Sequence, residues 1–120
     1  IQNIFSYNLT RITKLKETEQ LIYAPMNSIT NGTNIQTKWF NILVNQQFVS
    51  EKYTNYNNTL SLDEYYLLDL ILSKEFKLNN SHKLYIAFEA NNLLNETYFT
   101  YINRALPKRN FAIKLKYTFQ

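Results

Sequence analysis

Phe111-Ala112-Ile113-Lys114-Leu115-Lys116-Tyr117-Thr118-Phe119 alternates apolar and polar residues from one end to the other. Successive side chains of a β-strand point to opposite faces, so Phe111, Ile113, Leu115, Tyr117 and Phe119 share one side. Ala112, Lys114, Lys116 and Thr118 share the other. Such a strand belongs between an apolar and a wet environment.

The pattern repeats upstream. Segment 83–94 sets Leu84, Ile86, Phe88 and Ala90 against Tyr85, Ala87, Glu89 and Asn91. Segment 64–76 sets Tyr66, Leu68, Leu70, Leu72 and Phe76 against Leu67, Asp69, Ile71, Ser73 and Glu75. Residues 77–82 lie between them, and their Asn and Ser residues suit a tight reversal. Run 64–76 is long for a soluble strand, which usually has about 5–6 residues, whereas a tilted membrane strand needs about 9–11. Further upstream, 39–50 places Phe40, Ile42, Val44 and Phe48 opposite Asn41, Asn45 and Gln47. Segment 27–36, polar apart from Ile29 and Ile35 and open to being partly loop, and segment 1–12 complete six expected strands.

The connections alternate in length: long over 13–25, 51–63 and 97–110, short over 37–38 and 77–82. Outer-membrane barrels distribute extracellular loops and periplasmic turns in this way. With the short connections periplasmic, Trp39, Phe40, Phe76, Tyr117 and Phe119 fall at one height, that of an interfacial aromatic girdle. The expected fold is all-β, an antiparallel transmembrane β-barrel fragment. Patterning leaves a soluble β-sandwich or calyx as the alternative, because alternation occurs in both classes.

Composition narrows the classes further. The 120 residues include Tyr 10 and Phe 8 against Gly 1 and Pro 2, a vocabulary of strand formers. With Cys 0, disulfides, thiol catalysis and cysteine metal sites are excluded, and no compartment follows. The formal charge of +4 is scattered among strand-like segments and does not form a basic block, so nucleic acid is not an expected partner. The longest apolar stretch, 65–72, is interrupted by Asp69 and falls short of the roughly 18 residues of a membrane helix. The start, Ile1-Gln2-Asn3-Ile4-Phe5, has no secretory-leader pattern and reads as a piece of a longer protein.

Asn91-Asn92-Leu93-Leu94-Asn95-Glu96-Thr97-Tyr98, then Pro107-Lys108-Arg109-Asn110-Phe111, then an alternating strand to Phe119, resembles the end of a TonB-dependent receptor barrel. Asn92, Leu93, Tyr98, Pro107, Arg109 and Phe119 match that family's pattern. Phe48-Val49-Ser50-Glu51-Lys52-Tyr53, Tyr65-Tyr66-Leu67-Leu68-Asp69-Leu70 and Tyr23-Ala24-Pro25 are similar to earlier parts of it, so the likeness runs over residues 1–120. Lys108 stands where the family often has Gly, and Gln120 follows the Phe that is often terminal. The resemblance implies about six C-terminal strands of a barrel of about 22 strands. It also implies a plug domain outside these residues and residence in a bacterial outer membrane. The implied activity is uptake of a scarce nutrient of the iron-siderophore, cobalamin or haem class, driven by a TonB-type complex acting through the plug. Outer-membrane lipid, plug and small-molecule nutrient are then the partners, with no enzymatic activity and no cofactor. Another outer-membrane barrel, a channel or an adhesin, is the alternative.

Two groups of residues are candidate contacts. Asp69, Ser73, Glu75, Glu89, Lys114 and Lys116 share the polar faces, where they would meet a plug or a hydrated lumen. A charge facing lipid at mid-depth would cost about 2–4 kcal/mol. Lys74 breaks this pattern by falling on the apolar side, close enough to a turn to snorkel. Arg104, Lys108 and Arg109 share the last long loop with Tyr98, Phe99 and Tyr101; Tyr101 and the three cations are the candidate ligand surface, suited to an anionic, partly apolar molecule. His82, the sole histidine, is expected in a solvated turn with no ligand role, and Asp63-Glu64 lacks the partners of an acid–base pair.

Overall fold

The computed structural model of the protein describes residues 2–9, 22–55, 57 and 59–120. Its strands are β1 (Gln2–Leu9), β2 (Asn27–Gln36), β3 (Asn41–Val49), β4 (Lys52–Tyr53), β5 (Ser61–Leu62), β6 (Tyr65–Lys77), β7 (His82–Asn91), β8 (Phe99–Tyr101), β9 (Arg104–Ala105) and β10 (Asn110–Phe119). Among the described residues there is no helix.

Six strands form one antiparallel sheet in the order β1-β2-β3-β6-β7-β10, and β4-β5 and β8-β9 are separate two-stranded hairpins within the long connections. The sheet is open, with β1 and β10 as its edges. It is also a single layer. Its principal extents are 65 × 27 × 26 Å and its radius of gyration is 19.5 Å, against about 14 Å for a compact domain of this length.

The register sorts the side chains as the alternation requires. Ile35, Ile42, Leu72, Phe88 and Ile113 stand in one row across five strands, and Thr33, Val44, Leu70, Ala90 and Phe111 in the next. No described residue covers this apolar face: Ile113 is 71% exposed and Phe119 72%. On the polar face Asn41, Ser73, Ala87 and Lys114 share a row, flanked by Leu43, Ile71, Glu89 and Ala112. Burial is confined to small or sheltered positions, the buried apolar residues among those described being Val49, Tyr65, Ala87 and Ala90.

The short connections are held by side chains. Thr37 N–H donates to Phe40 O (3.0 Å), and the Thr37 hydroxyl accepts from Trp39 N (3.2 Å) and Phe40 N (3.0 Å) while donating to Phe40 O (2.7 Å). That hydroxyl ties a turn that contains no positive-φ residue. In the second turn Asn79 Oδ1 accepts from Ser81 N (2.9 Å), and Gln120 N–H donates to Ser81 O (2.9 Å), fastening the end of β10 to the reversal.

Three boundaries differ from the sequence expectation. Segment 83–94 stops being strand at Asn91, because Asn92 takes φ 50°, a left-handed conformation that Asn tolerates better than most residues. His82 belongs to β7 and not to a solvated turn: it pairs with Phe119, and its ring stacks on Phe119 (6.1 Å between centroids) and Tyr117 (5.7 Å). Ten ladder residues on β10 recruit it onto the apolar face. Connections 51–63 and 97–110 carry their own hairpins. Residues 10–12 of the expected first strand and 13–21 of the first long connection lie outside the described residues.

Candidate functional site

Two regions gather the polar chemistry: the polar face of the sheet, and the end where the long connections meet.

On the polar face, Lys114 Nζ lies 2.7 Å from Glu89 Oε1, and Lys83 Nζ lies 3.6 Å from Glu75 Oε1. The first pair sits on adjacent strands one row apart, a diagonal within reach of long side chains. Ser73 is buried opposite Ala87, and Lys116 stands opposite Tyr85 and exposed. Asp69, Ser73, Glu89, Lys114 and Lys116 therefore share one face, as the alternation indicates, with Glu89 and Lys114 in direct contact.

Between β1, β2, β3 and β6 the polar face holds a groove of about 480 Å³, whose walls include Gln2, Thr30, Asn34, Asn45, Gln47 and Asp69. Gly32 lies in its floor, where a Cβ would stand 3.4 Å from Asn45 Oδ1. That is ordinary contact, so the glycine widens the groove and relieves no clash. Amides and the apolar side chains of Ile4, Leu43 and Leu67 line this half of the face, with Asp69 its one charged wall; the ion pairs lie toward β7 and β10.

At the long-connection end, the residues of the 91–98 motif form a hydrogen-bonded knot. Asn92 N–H donates to Asp69 Oδ1 (2.8 Å) and Leu93 N–H to Leu68 O (2.8 Å), tying the turn to β6. The Asn92 amide donates to Glu96 O (2.8 Å) and Pro107 O (3.2 Å) and accepts from Glu96 N (2.9 Å). Asn95 N–H donates to Asn92 O (2.8 Å), and Asn95 Oδ1 accepts from Arg109 N (3.2 Å). One buried asparagine thus links β6, the start of the last loop and its return through Pro107. Asp69, which the sequence places toward the wet side, spends one oxygen on this knot.

Aromatic rings fill the space around it. Tyr98 packs on Tyr65 with centroids 4.8 Å apart, and Tyr101 on Tyr23 at 5.0 Å. Burial pushes the Tyr98 phenol above its ordinary value, and the Asp69 carboxylate adds to the shift. Lys52, on β4 and buried, has its ammonium drawn down by desolvation.

The proposed ligand residues split into two patches. Tyr101 pairs with Arg104 across the β8-β9 hairpin, whereas Lys108 and Arg109 sit where the loop returns to β10, with Arg109 anchored to Asn95 through its backbone. All four are exposed. The Asn92 knot is what sequence reasoning missed. The available signal was Asn-Asn followed by Asn95 at a strand end, since Asn both adopts positive φ and bonds to nearby backbone. Among the described residues no group of three or more His, Cys, Asp or Glu could hold a metal ion, and no helix is long and apolar enough to cross a membrane. No protein-family model matches the chain, and no curated protein matches it.

Proposed function

We propose that this chain is wall and outer loops of a bacterial outer-membrane β-barrel, the C-terminal part of a TonB-dependent receptor that imports a scarce nutrient. In this reading it performs no catalysis. One observation carries it: a single-layer sheet exposes a continuous apolar face, from Ile35 and Ile42 through Leu72 and Phe88 to Ile113 and Leu115, with charges on the reverse. A domain stable in water buries such a face under a second layer, and no second layer covers it among the described residues. Hydrocarbon would cover it, and open edges at β1 and β10 would be completed by further strands of the barrel.

The rim residues support the same orientation. Trp39, Phe76, His82, Tyr117 and Phe119 lie on the short-turn end, and Lys74, the cation on the apolar face, has its Nζ 5.0 Å from the Phe76 centroid and 5.8 Å from that of Trp39. That is the geometry of a lysine reaching for an interface. In this orientation the polar face meets the lumen and plug, and Tyr101-Arg104 and Lys108-Arg109 are two patches on the extracellular side that would meet an anionic nutrient complex.

Neighbouring positions at one depth test the reading. Ile113→Arg would face lipid and should lower the folding free energy in vesicles by about 2–4 kcal/mol. Ala112→Arg would point to the lumen toward Glu89, its cross-strand partner, and should cost far less. Urea titration of both variants of the full protein in lipid vesicles reads the difference; equal costs would overturn the assignment of lipid and lumen faces.

A further inference from the structure

The apolar face is interrupted in one row. Asn31, Gln46 and Leu68 stand side by side across β2, β3 and β6. Toward the short turns the next row is Thr33, Val44 and Leu70, and toward the long connections it is Ile29, Phe48 and Tyr66. Gly32 and Asn45, the sequence neighbours of the two amides, belong to the groove on the reverse, so alternation puts the Asn31 and Gln46 side chains on the apolar face. Rows are about 6.7 Å apart along a strand, and a strand tilted by about 45° sets the amides about 5 Å inside the Phe48-Tyr66 row. In the barrel-wall reading that depth is hydrocarbon, where only protein offers a hydrogen bond.

The amide pair is half satisfied. Asn31 Nδ2 donates to Gln46 Oε1 at 3.4 Å, a long bond, while Asn31 Oδ1 is shielded from solvent and accepts from no described group. Gln46 receives that bond on its oxygen and still carries an NH2 group with two hydrogens to donate. An acceptor in need of a donor thus stands beside a donor, on adjacent strands at matched register. Among the described residues no charge shares the β2 or β3 part of this face, and Lys74 on β6 lies three rows away.

Such a patch complements itself. Copies of one protein share one orientation in a membrane, so a twofold axis relating two of them runs along the membrane normal. An axis passing between β2 and β3 at this row sets Asn31 of each copy against Gln46 of the other. A slight turn of the Asn31 amide exchanges one long bond within a copy for bonds between copies, with uncharged apolar side chains around them. A different protein would have to bring a donor and an acceptor at the same spacing, which a second copy already has. We propose that two copies of the wall pair in the membrane through this row, Gln46 of each donating to Asn31 Oδ1 of the other. The proposal rests on the barrel-wall reading above, and its test separates the two.

The full protein, in a cysteine-free background, is reconstituted in liposomes with Leu60→Cys, exposed in a long connection, carrying donor dye in half of the copies and acceptor dye in the rest. Energy transfer is followed as added lipid dilutes the protein. It should report a dimer whose dissociation constant rises about tenfold in Asn31→Leu and in Gln46→Leu, the loss expected from two interchain hydrogen bonds in a membrane. Both variants should resist urea in liposomes at least as well as the parent, because leucine suits lipid better than an amide does. A side chain that only held the sheet together would lower that resistance. Ile113→Ala, three strands from Gln46, should leave the transfer curve unchanged. A nitroxide on Val44→Cys, at a dilution that keeps copies apart, should collide with oxygen more than with a water-soluble nickel chelate. Transfer at the level of random mixing, or transfer that neither leucine variant alters, overturns the pairing and, with oxygen favoured at Val44, leaves the wall intact. A nitroxide that favours the nickel chelate overturns the wall, and the pairing with it.

Discussion

Asn92 takes a backbone conformation that costs most L-residues about 1–2 kcal/mol and is nevertheless almost sealed from solvent. Its side chain explains why the position is held. Three hydrogen bonds from one amide satisfy Glu96 N–H, Glu96 C=O and Pro107 C=O, none of which has a strand to pair with. Asn95 and Asn103 also have positive φ, at 57° and 60°, so in a chain with Gly 1 asparagine takes three of the four left-handed positions among the described residues, Tyr23 (φ 62°) being the fourth. Asn92→Ala should destabilise the loop by about 2–4 kcal/mol through lost bonds and backbone strain together. Asn92→Gly should recover about 1 kcal/mol, because it relieves only the strain. Both variants remove the acceptor of Glu96 N–H, so amide hydrogen exchange at Glu96 should be fast in each and slow in the parent. Unchanged exchange in Asn92→Ala would mean the knot does not hold the loop.

Turns and strands differ in how much of them the sequence discloses. Four of the long strands, within 39–50, 64–76, 83–94 and 111–119, and their faces follow from alternation, since a period of two leaves only two registers and charge selects between them. Segment 27–36 is strand over its whole length despite its polarity, because both neighbours supply ladder partners. The β4-β5 and β8-β9 hairpins were hidden, each strand being two or three residues long and held by side-chain bonds such as Asn55 Oδ1 to Thr59 N (3.1 Å). The position of His82 was hidden too, because the residue that stacks on it, Phe119, is 37 residues away in the chain. Of the candidate site, the shared face of Asp69, Glu89, Lys114 and Lys116 was legible, while the separation of Tyr101-Arg104 from Lys108-Arg109 depends on how a long loop folds on itself. The Thr37 turn yields a prediction at this scale. Thr37→Val keeps the shape and removes the hydroxyl that holds Trp39 N and Phe40 N, so it should cost about 1–2 kcal/mol and loosen Trp39. Fluorescence anisotropy of Trp39 reads this directly, and an unaltered value would show that the backbone alone fixes the turn.

For the molecule as a whole, the governing fact is an elongated six-stranded sheet that, among the described residues, has an uncovered apolar face and β1 and β10 as unpaired edges. Water cannot tolerate that arrangement at ordinary protein concentration, because strand edges and apolar patches recruit further chains. Without detergent or lipid the chain should sediment as β-rich aggregate, and with them it should remain dispersed with β-type circular dichroism. A detergent-free monomer with a cooperative melt in analytical ultracentrifugation and calorimetry would contradict the wall assignment.

The order of strands in the sheet is the order of the long strands in the chain, each bonded only to its predecessor and its successor. Growth can then proceed at one margin without threading or crossing, and a strand added last disturbs no pairing made earlier. The entropy of closing a loop rises with its length, which favours early formation of the hairpins closed at residues 37–40 and 78–81. β2 with β3, and β6 with β7, are accordingly the units that an assembling chain can present ready-made, and the long connections are the joints between them.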